Sequence, residues 1–435
     1  MRGEELVGFL HCDLLGLNWG RSVIASELES CLEAGVGWVP ADQALTPFGP
    51  IAESNPCGST GDLQLLPDRV TETRVDLWDD VSSLHFFLCD AANTDGSAWD
   101  SCPRTVLKDA LARLEREAGL CLVASFEHEF LLRGPTLQSG PGFSFEAQRL
   151  VEPFGPLVMA ALRQAGLEPE IFLPEFGEGQ FEIPCAPSGG LVAADRAAAT
   201  REVVREVARR LGYRASFAPM TDPEGVGNGV HVHMSFVDQE GRPVSYDPER
   251  PGGLSTTAAR FAAGILEHLP ALCAFTASSV VSYLRLGPHH WSAGFGYVGE
   301  RDREATIRIP PLAKGDPARQ FNLEFRAADA AACPHLALAV LVLAGLRGIE
   351  EDLPEPHLMG DDPSELDEEE RRRLGLRSLP NSLEEALGAL ESDAVVRSWL
   401  SKDLLDCYLS LKRTEISLLD GADPKEACER YLRVY

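Results

Sequence analysis

An α+β fold follows from three observations on the 435-residue chain. Short apolar runs with strand-like alternation recur along its length, and long segments of helical periodicity separate them after residue 100. A strand–GxGxxG–helix unit and a GxxxxGK(S/T) loop are both missing, which counts against a parallel doubly wound nucleotide fold. The strands are therefore predicted to share an antiparallel or mixed sheet, with helices on one side.

In order, LVGFLHCDLLG, GWVPAD, TETRVDLW and SSLHFFLCDA give the strands of a small N-terminal unit. The Pro/Gly/Ser-rich stretch TPFGPIAESNPCGSTGD between them is a loop. A boundary is expected near residue 100, giving domains 1–100 and 101–435, because DGSAWDSCP leads into the helix RTVLKDALARLEREAG. Further helices are predicted at 148–165, 195–212 and 255–280, and strands at CLVASFEHEFLL, EGQFEIPC, NGVHVHMSF, EATIRIP and FNLEFRAA. Acidic, arginine-rich helices follow residue 360, and LLDCYLSLKRTEISLL is amphipathic enough to pack.

Composition narrows the function. Lysine plus arginine number 39 against 67 aspartates and glutamates, a formal charge of −28 that repels nucleic acid and anionic membranes. The longest candidate membrane stretch is LALAVLVLAGL at 336–346, well short of the roughly 20 residues a span needs. The N-terminus MRGEELVGFL makes a poor signal peptide, so a cytoplasmic protein is expected. Eleven cysteines without a Cys-x-x-Cys pair, mostly in apolar contexts, point to buried free thiols.

The chemistry is carried by charged side chains that interrupt otherwise apolar strands. FEHEF places Glu127 and Glu129 two residues apart, on one face of a strand, with His128 on the other. PEFGEGQFEIP supplies Glu175 and Glu182, and VHVHMS supplies His231 and His233. NLEFRAAD gives Glu324 and Arg326, REATIRIP gives Arg303 and Arg308, and SYLRLGP gives Arg285. Any one such charge is ordinary at a strand edge. Together, on one sheet, the carboxylates would repel one another unless cations neutralise them. Oxygen-rich sites with an occasional imidazole suit Mg²⁺ or Mn²⁺. Neighbouring arginines suit phosphoryl oxygens, so ATP-dependent phosphoryl transfer is the first reading and a metallohydrolase the second.

Six motifs in this order, FEHEF, EFGEGQFEIP, GNGVHVHMSF, SYLRLGP, ERDREATIRIP and NLEFRAAD, resemble the glutamine synthetase superfamily over essentially the whole chain. The resemblance implies a small β-grasp-like domain and a catalytic domain on a curved antiparallel sheet flanked by helices. It also implies a homo-oligomer of stacked rings with active sites between subunits. By position, Glu129, Glu175 and Glu182 would hold the metal nearer the acyl substrate, and Glu127, His231 and Glu324 the metal nearer the ATP phosphates. His233 and Ser235 would contact the nucleotide. Gly227 would line the acid site, Arg285 would clamp the substrate α-carboxylate, and Arg303 would stabilise phosphoryl transfer. Arg308 would assist at the nucleotide phosphates and Arg326 on the substrate side. The implied reaction is ATP-dependent amide formation from glutamate and an amine through a γ-glutamyl phosphate.

Departures from that pattern bear on the amine. A family flap glutamate is replaced by Trp291 in RLGPHHWSA, and ALTPFGPIAESN has no FDGSS-like ammonium motif, although Asp62 matches a later aspartate. An apolar wall in place of buried carboxylates favours an amine larger than ammonia, with a glutamate–ammonia ligase as the alternative. Val226, Asn228 and Asn322 also depart from the pattern, which leaves a different acid substrate open. The stretch DDPSELDEEE lacks the tyrosine that some bacterial relatives adenylylate, so that modification is not expected.

Overall fold

The computed structural model of the chain describes residues 4–58, 60–78, 81–288, 292–360 and 363–435. The N-terminal unit contains β1 (Leu6–Cys12), β2 (Asn18–Ile24), helix α1 (Leu28–Ala34), β3 (Val36–Trp38), β4 (Leu63–Pro67), β5 (Thr73–Val75) and β6 (Leu84–Asn93). The strands run in the order β2-β1-β6-β4-β3, with β5 added on β6. Only β1–β6 is parallel among these pairs. Alternate residues Val7, Phe9, Leu63, Leu65, Phe87 and Cys89 fill a small core of their own.

The larger unit begins with α2 (Pro103–Ala118) and the long strand β7 (Leu120–Arg133). There follow α3 (Phe145–Leu150), α4 (Phe154–Gln164), β8 (Leu173–Pro174), β9 (Gln180–Pro184), β10 (Ser188–Gly189), α5 (Gly190–Arg210), β11 (Arg214–Ser216) and β12 (Val230–Asp238). Next come α6 (Thr256–Thr276), α7 (Ser282–Arg285), β13 (Phe295–Glu300), β14 (Ala305–Ile309), α8 (Pro317–Gln320), β15 (Leu323–Phe325) and α9 (Pro334–Glu350). The chain closes with β16 (Leu358–Met359), α10 (Glu368–Arg373), β17 (Arg377–Ser378), α11 (Leu383–Ser392), α12 (Ala394–Ser398), α13 (Lys402–Ser417) and α14 (Pro424–Leu432).

The main path of the large sheet is β16-β13-β14-β15-β12-β7-β9-β8. It is mixed rather than wholly antiparallel: β13 runs parallel to both β14 and β16. The segment predicted as one helix over 148–165 is two, because a turn over 151–153 with Pro153 separates α3 from α4. Arg285 closes the short helix α7 rather than interrupting a strand, and Arg303 stands in the turn before β14.

Helix α9 is apolar on every side and almost wholly buried, as an all-round hydrophobic helix must be. It packs on α6, α2 and α5. Two glycines permit its approach to α6: a Cβ on Gly264 would lie 2.0 Å from the Ala344 carbonyl oxygen, and one on Gly348 2.0 Å from that of Arg260. Among the described residues, α6 rather than 336–346 is the one helix long and apolar enough to cross a membrane, and most of it is buried inside the protein.

Candidate active site

Sheet register gathers the predicted residues. In β7–β12, Glu127 pairs with His231; in β7–β9, Glu129 pairs with Glu182. In β12–β15, His233 pairs with Glu324, which pairs in turn with Arg308 of β14. Directly opposed residues in a ladder project to the same face. Five strands thus aim their charges at one place, and the intervening Phe126, Phe130, Val232 and Phe325 turn into the core. His128, on the core face of β7, packs 6.0 Å from Phe217, and burial pushes its imidazole down to about 3, so it is neutral.

A cavity of about 510 Å³ opens over this face. Its lining includes Glu127, Glu129, Glu175, Glu182, His231, Glu324, Arg285, Arg303, Arg308, Arg326 and Gly227. A second cavity of about 200 Å³ lies beyond Glu127, which lines both, and is walled by Ser125, His233, Ser235 and Asn322. His233 and Ser235 are therefore in the second cavity, and the remaining described candidates are in the first. Trp291 lies outside the described residues.

His231 is the hub. Its Nδ1 is 3.2 Å from Glu127 Oε2 and 3.6 Å from Glu324 Oε1, and its Nε2 is 3.8 Å from Glu129 Oε1. Two sets of ligand atoms, Glu127–His231–Glu324 and Glu129–Glu182–His231, each lie within 4.8 Å of one another. Glu175 shares the cavity but stands outside both sets. The backbone N–H of Gly229 donates to Glu129 Oε2 at 2.6 Å and fixes that carboxylate.

The electrostatics divide the acids into two groups. Burial disfavours Glu127, yet His231 and His233 hold its carboxyl well below the usual range. Burial likewise disfavours the charge of Glu324, but His231, Arg326, His233 and Arg308 bring it down to about 2. Arg308 Nη1 reaches Glu324 Oε2 at 2.6 Å, and Arg326 donates to its Oε1. Burial would lower His233, but Glu127, 3.0 Å from its Nε2, and Glu324 raise it to about 9. Its Nδ1 meets Asn322 Oδ1 at 2.8 Å.

Glu182 and Glu175 go the other way. Burial and then Glu127, Glu129, Glu175 and Glu324 push Glu182 up to about 9; burial and Glu129 push Glu175 up to about 7. Carboxylates crowded this closely repel one another, and a cation among them would relieve that repulsion. Two oxygen-rich sets that share one imidazole have the donor chemistry of hard divalent ions, so the residues fit metal binding.

Arg285 is buried, which disfavours its charge; Nη2 donates to the Ala328 carbonyl at 2.8 Å, and among the described residues Nε has no hydrogen-bond partner. Gly227 packs against it so closely that a Cβ would lie 2.4 Å from Arg285 Cγ. Asn228 turns inward: its amide donates to the Ala218 carbonyl and accepts from Gln180, whereas Val226 lines the cavity. Sequence reasoning missed the apolar part of the wall, Phe143, Leu173 and Phe176. Phe176 lay inside a quoted motif without a polar signal to mark it, and Phe143 comes from a loop whose place at the cavity no local pattern encodes.

Residues 2–99 match the family described as glutamine synthetase N-terminal domain, and residues 100–431 match glutamine synthetase, catalytic domain. A gamma-glutamylpolyamine synthetase, GlnA3, of Streptomyces coelicolor is 32% identical over 99% of this chain and 93% of its own length. A glutamine synthetase of Halobacterium salinarum is 33% identical over 80% of this chain and 78% of its own. The crystal structure of a novel glutamine synthase homolog superposes with a TM-score of 0.92 at 44% identity, covering 100% of this chain and 99% of that one. With ordered motifs, sheet register and acidic cavity all in agreement, the chain belongs to the glutamine synthetase family and is an ATP-dependent ligase.

Proposed function

We propose that the protein joins an amine larger than ammonia to the γ-carboxylate of glutamate through a γ-glutamyl phosphate. The observation that carries this is a single cavity with five carboxylates about His231, Arg285 and Arg303 at the same cavity, and an apolar wall of Phe143, Phe176 and Val226. Mg²⁺ or Mn²⁺, bound to Glu129, Glu175 and Glu182 and to Glu127, His231 and Glu324, would offset charge on the phosphoryl oxygens of ATP.

The chain's own residues do the rest. His233 and Ser235, in the adjoining cavity, hold the nucleotide, and Arg308 assists at its phosphates. Arg285, whose Nε has no hydrogen-bond partner among the described residues, clamps the α-carboxylate of the acid. Arg326 orients the acid from the other side. Arg303 stabilises charge that spreads over the transferring phosphoryl group. The amine then displaces phosphate in a site that excludes water from the acyl phosphate.

The amine assignment rests on what the site lacks and what it offers. The flap carboxylate of ammonia-specific relatives is Trp291 here, and the aromatic wall gives an alkyl chain a surface to cover. The Streptomyces relative named for polyamines supports the same reading. The second reading, ammonia itself, is favoured by a glutamine synthetase of similar identity over a smaller share of the chain. A metal-dependent amide hydrolase would instead act without nucleotide. We also place the active site between subunits of a ring-forming homo-oligomer, which native mass measurement together with activity on dilution would test.

The deciding experiment incubates the protein with ATP, Mn²⁺ and glutamate against ammonia, monoalkylamines, ethanolamine and polyamines, and reads phosphate and product mass. Phosphate release that never requires both acid and amine would overturn the ligase reading. Trp291→Glu should shift preference toward ammonia, and an unchanged amine profile would remove that residue from the selection of amine.

A further inference from the structure

Two cysteines meet a histidine where the small unit joins α9. Cys12 ends β1; Cys333 caps α9, and His335 lies in its first turn. Ligand atoms of the three lie within 4.8 Å of one another, and all three side chains are buried. His335 Nε2 is 2.8 Å from Asp195 Oδ1. Asp195 is itself gripped by Arg104, through Nε at 2.8 Å and Nη2 at 2.9 Å. His335 Nδ1, on a residue only 1% exposed, faces the Cys12 thiol and among the described residues makes no hydrogen bond of good geometry.

We infer that Cys12, Cys333 and His335 form a second metal site, for a thiophilic d¹⁰ ion of the zinc class, distinct from the oxygen-rich catalytic cavity. Two sulfurs and one imidazole are soft donors that discriminate against Mg²⁺ and Mn²⁺. A carboxylate on the far nitrogen of a ligating histidine fixes the tautomer, and Asp195 leaves Nδ1 as the free lone pair. Bonds of about 2.0–2.3 Å to a common ion would close the present separations with small side-chain rotations. Burial disfavours the charged imidazole, but Asp195 and Cys12 raise His335 to about 9, so binding at neutral pH sends three protons to solvent, two from the thiols and one from Nδ1; the dication with two thiolates is then neutral, as a buried site requires. One ligand comes from the small unit and two from α9, so the ion cross-links the units. Sequence spacing concealed the set, since more than three hundred residues of chain separate Cys12 from Cys333.

The test uses the full chain, stripped of metal and titrated with Co²⁺ in excess Mg²⁺ so that the oxygen-rich sites stay occupied. The expected result is a thiolate-to-cobalt charge-transfer band that saturates at about one equivalent and is bleached by Zn²⁺. The C12S/C333S variant should lack the band, whereas C31S/C121S, which alters the two partly buried cysteines, should keep it. Zinc should raise the unfolding temperature of the wild type and not that of C12S/C333S. If that variant does not fold, His335→Asn takes its place, and the wild-type titration decides by itself. Absence of the band in the wild type, or its survival in C12S/C333S, overturns the site; His335 is then a protonated partner of Asp195 beside two idle thiols.

Discussion

Glu182 occupies the least favourable electrostatic position in the catalytic cavity, and that can be measured. Its carboxyl is raised from 4.5 to about 9, so in the metal-free protein it carries a proton at neutral pH. Manganese must displace that proton. Calorimetry in buffers of different ionisation enthalpy should show between one and two protons released at pH 7, because Glu175, raised to about 7, adds to Glu182, with affinity rising as pH rises toward 9. The sign for stability is opposite. A group raised in the folded state contributes fully below its unfolded value near 4.5 and loses that contribution as pH climbs through about 9. Glu182→Gln should therefore stabilise the metal-free protein at pH 8 by on the order of 1–3 kcal/mol, with little effect at pH 4, while it abolishes metal-dependent turnover. Gly227→Ala is a gentler probe. Its Cβ would displace the Arg285 side chain, so KM for the acid should rise at least about tenfold while Mn²⁺ affinity holds, as titration and initial rates would show. At this scale the convergence of carboxylates was legible, because i, i+2 spacing put Glu127 and Glu129 together without any tertiary information. Asn228 was not: only the fold reveals that its amide is spent on Ala218 and Gln180.

Elements differed in how openly the sequence declared them. β7, β9 and β12 alternate cleanly and were predicted close to their bounds, since one face is core and the other carries the charges. β2 was missed because NWGRSVI is largely exposed and has no apolar period, and β13 because FGYVGE carries two glycines. Arg285 was assigned to an apolar strand because SYLRL, four residues of which form a single helical turn, is too short for periodicity to separate helix from strand. The tight α6–α9 contact left a mark only in its glycines. Gly264→Ala should lower the thermal midpoint by several degrees, corresponding to about 1–3 kcal/mol of overpacking, because the methyl group has backbone in front of it and no side chain to push aside. A midpoint unchanged in thermal unfolding would mean that the two helices separate more easily than their packing implies.

For the molecule as a whole, one guanidinium ties the two units together alongside the shared apolar core. Arg104, in the first turn of α2, reaches Asp68 and Asp90 of the small unit at 2.7 and 2.9 Å and Asp195 of α5 at 2.8 Å. Arg104→Ala removes the cation that three carboxylates share, leaving Asp90 only Lys108 and Asp195 only His335, and should cost about 3–5 kcal/mol. Limited proteolysis should then cut between the units, near residue 100, before the wild type is cut anywhere. Charge and composition excluded nucleic-acid partners but carried no trace of this junction, whose members are scattered from residue 68 to 195. The same large-scale view separates two kinds of construction within the catalytic cavity. Backbone ladders lock Glu127, Glu129, Glu182, His231 and Glu324 in place, whereas Phe143, Phe176 and Val226 hang from connecting segments. For a ligase of the kind proposed, acyl activation is thus inherited with the scaffold and amine choice is written in replaceable trim. Swapping a few loop side chains should retune the nucleophile while the phosphate chemistry carries on undisturbed.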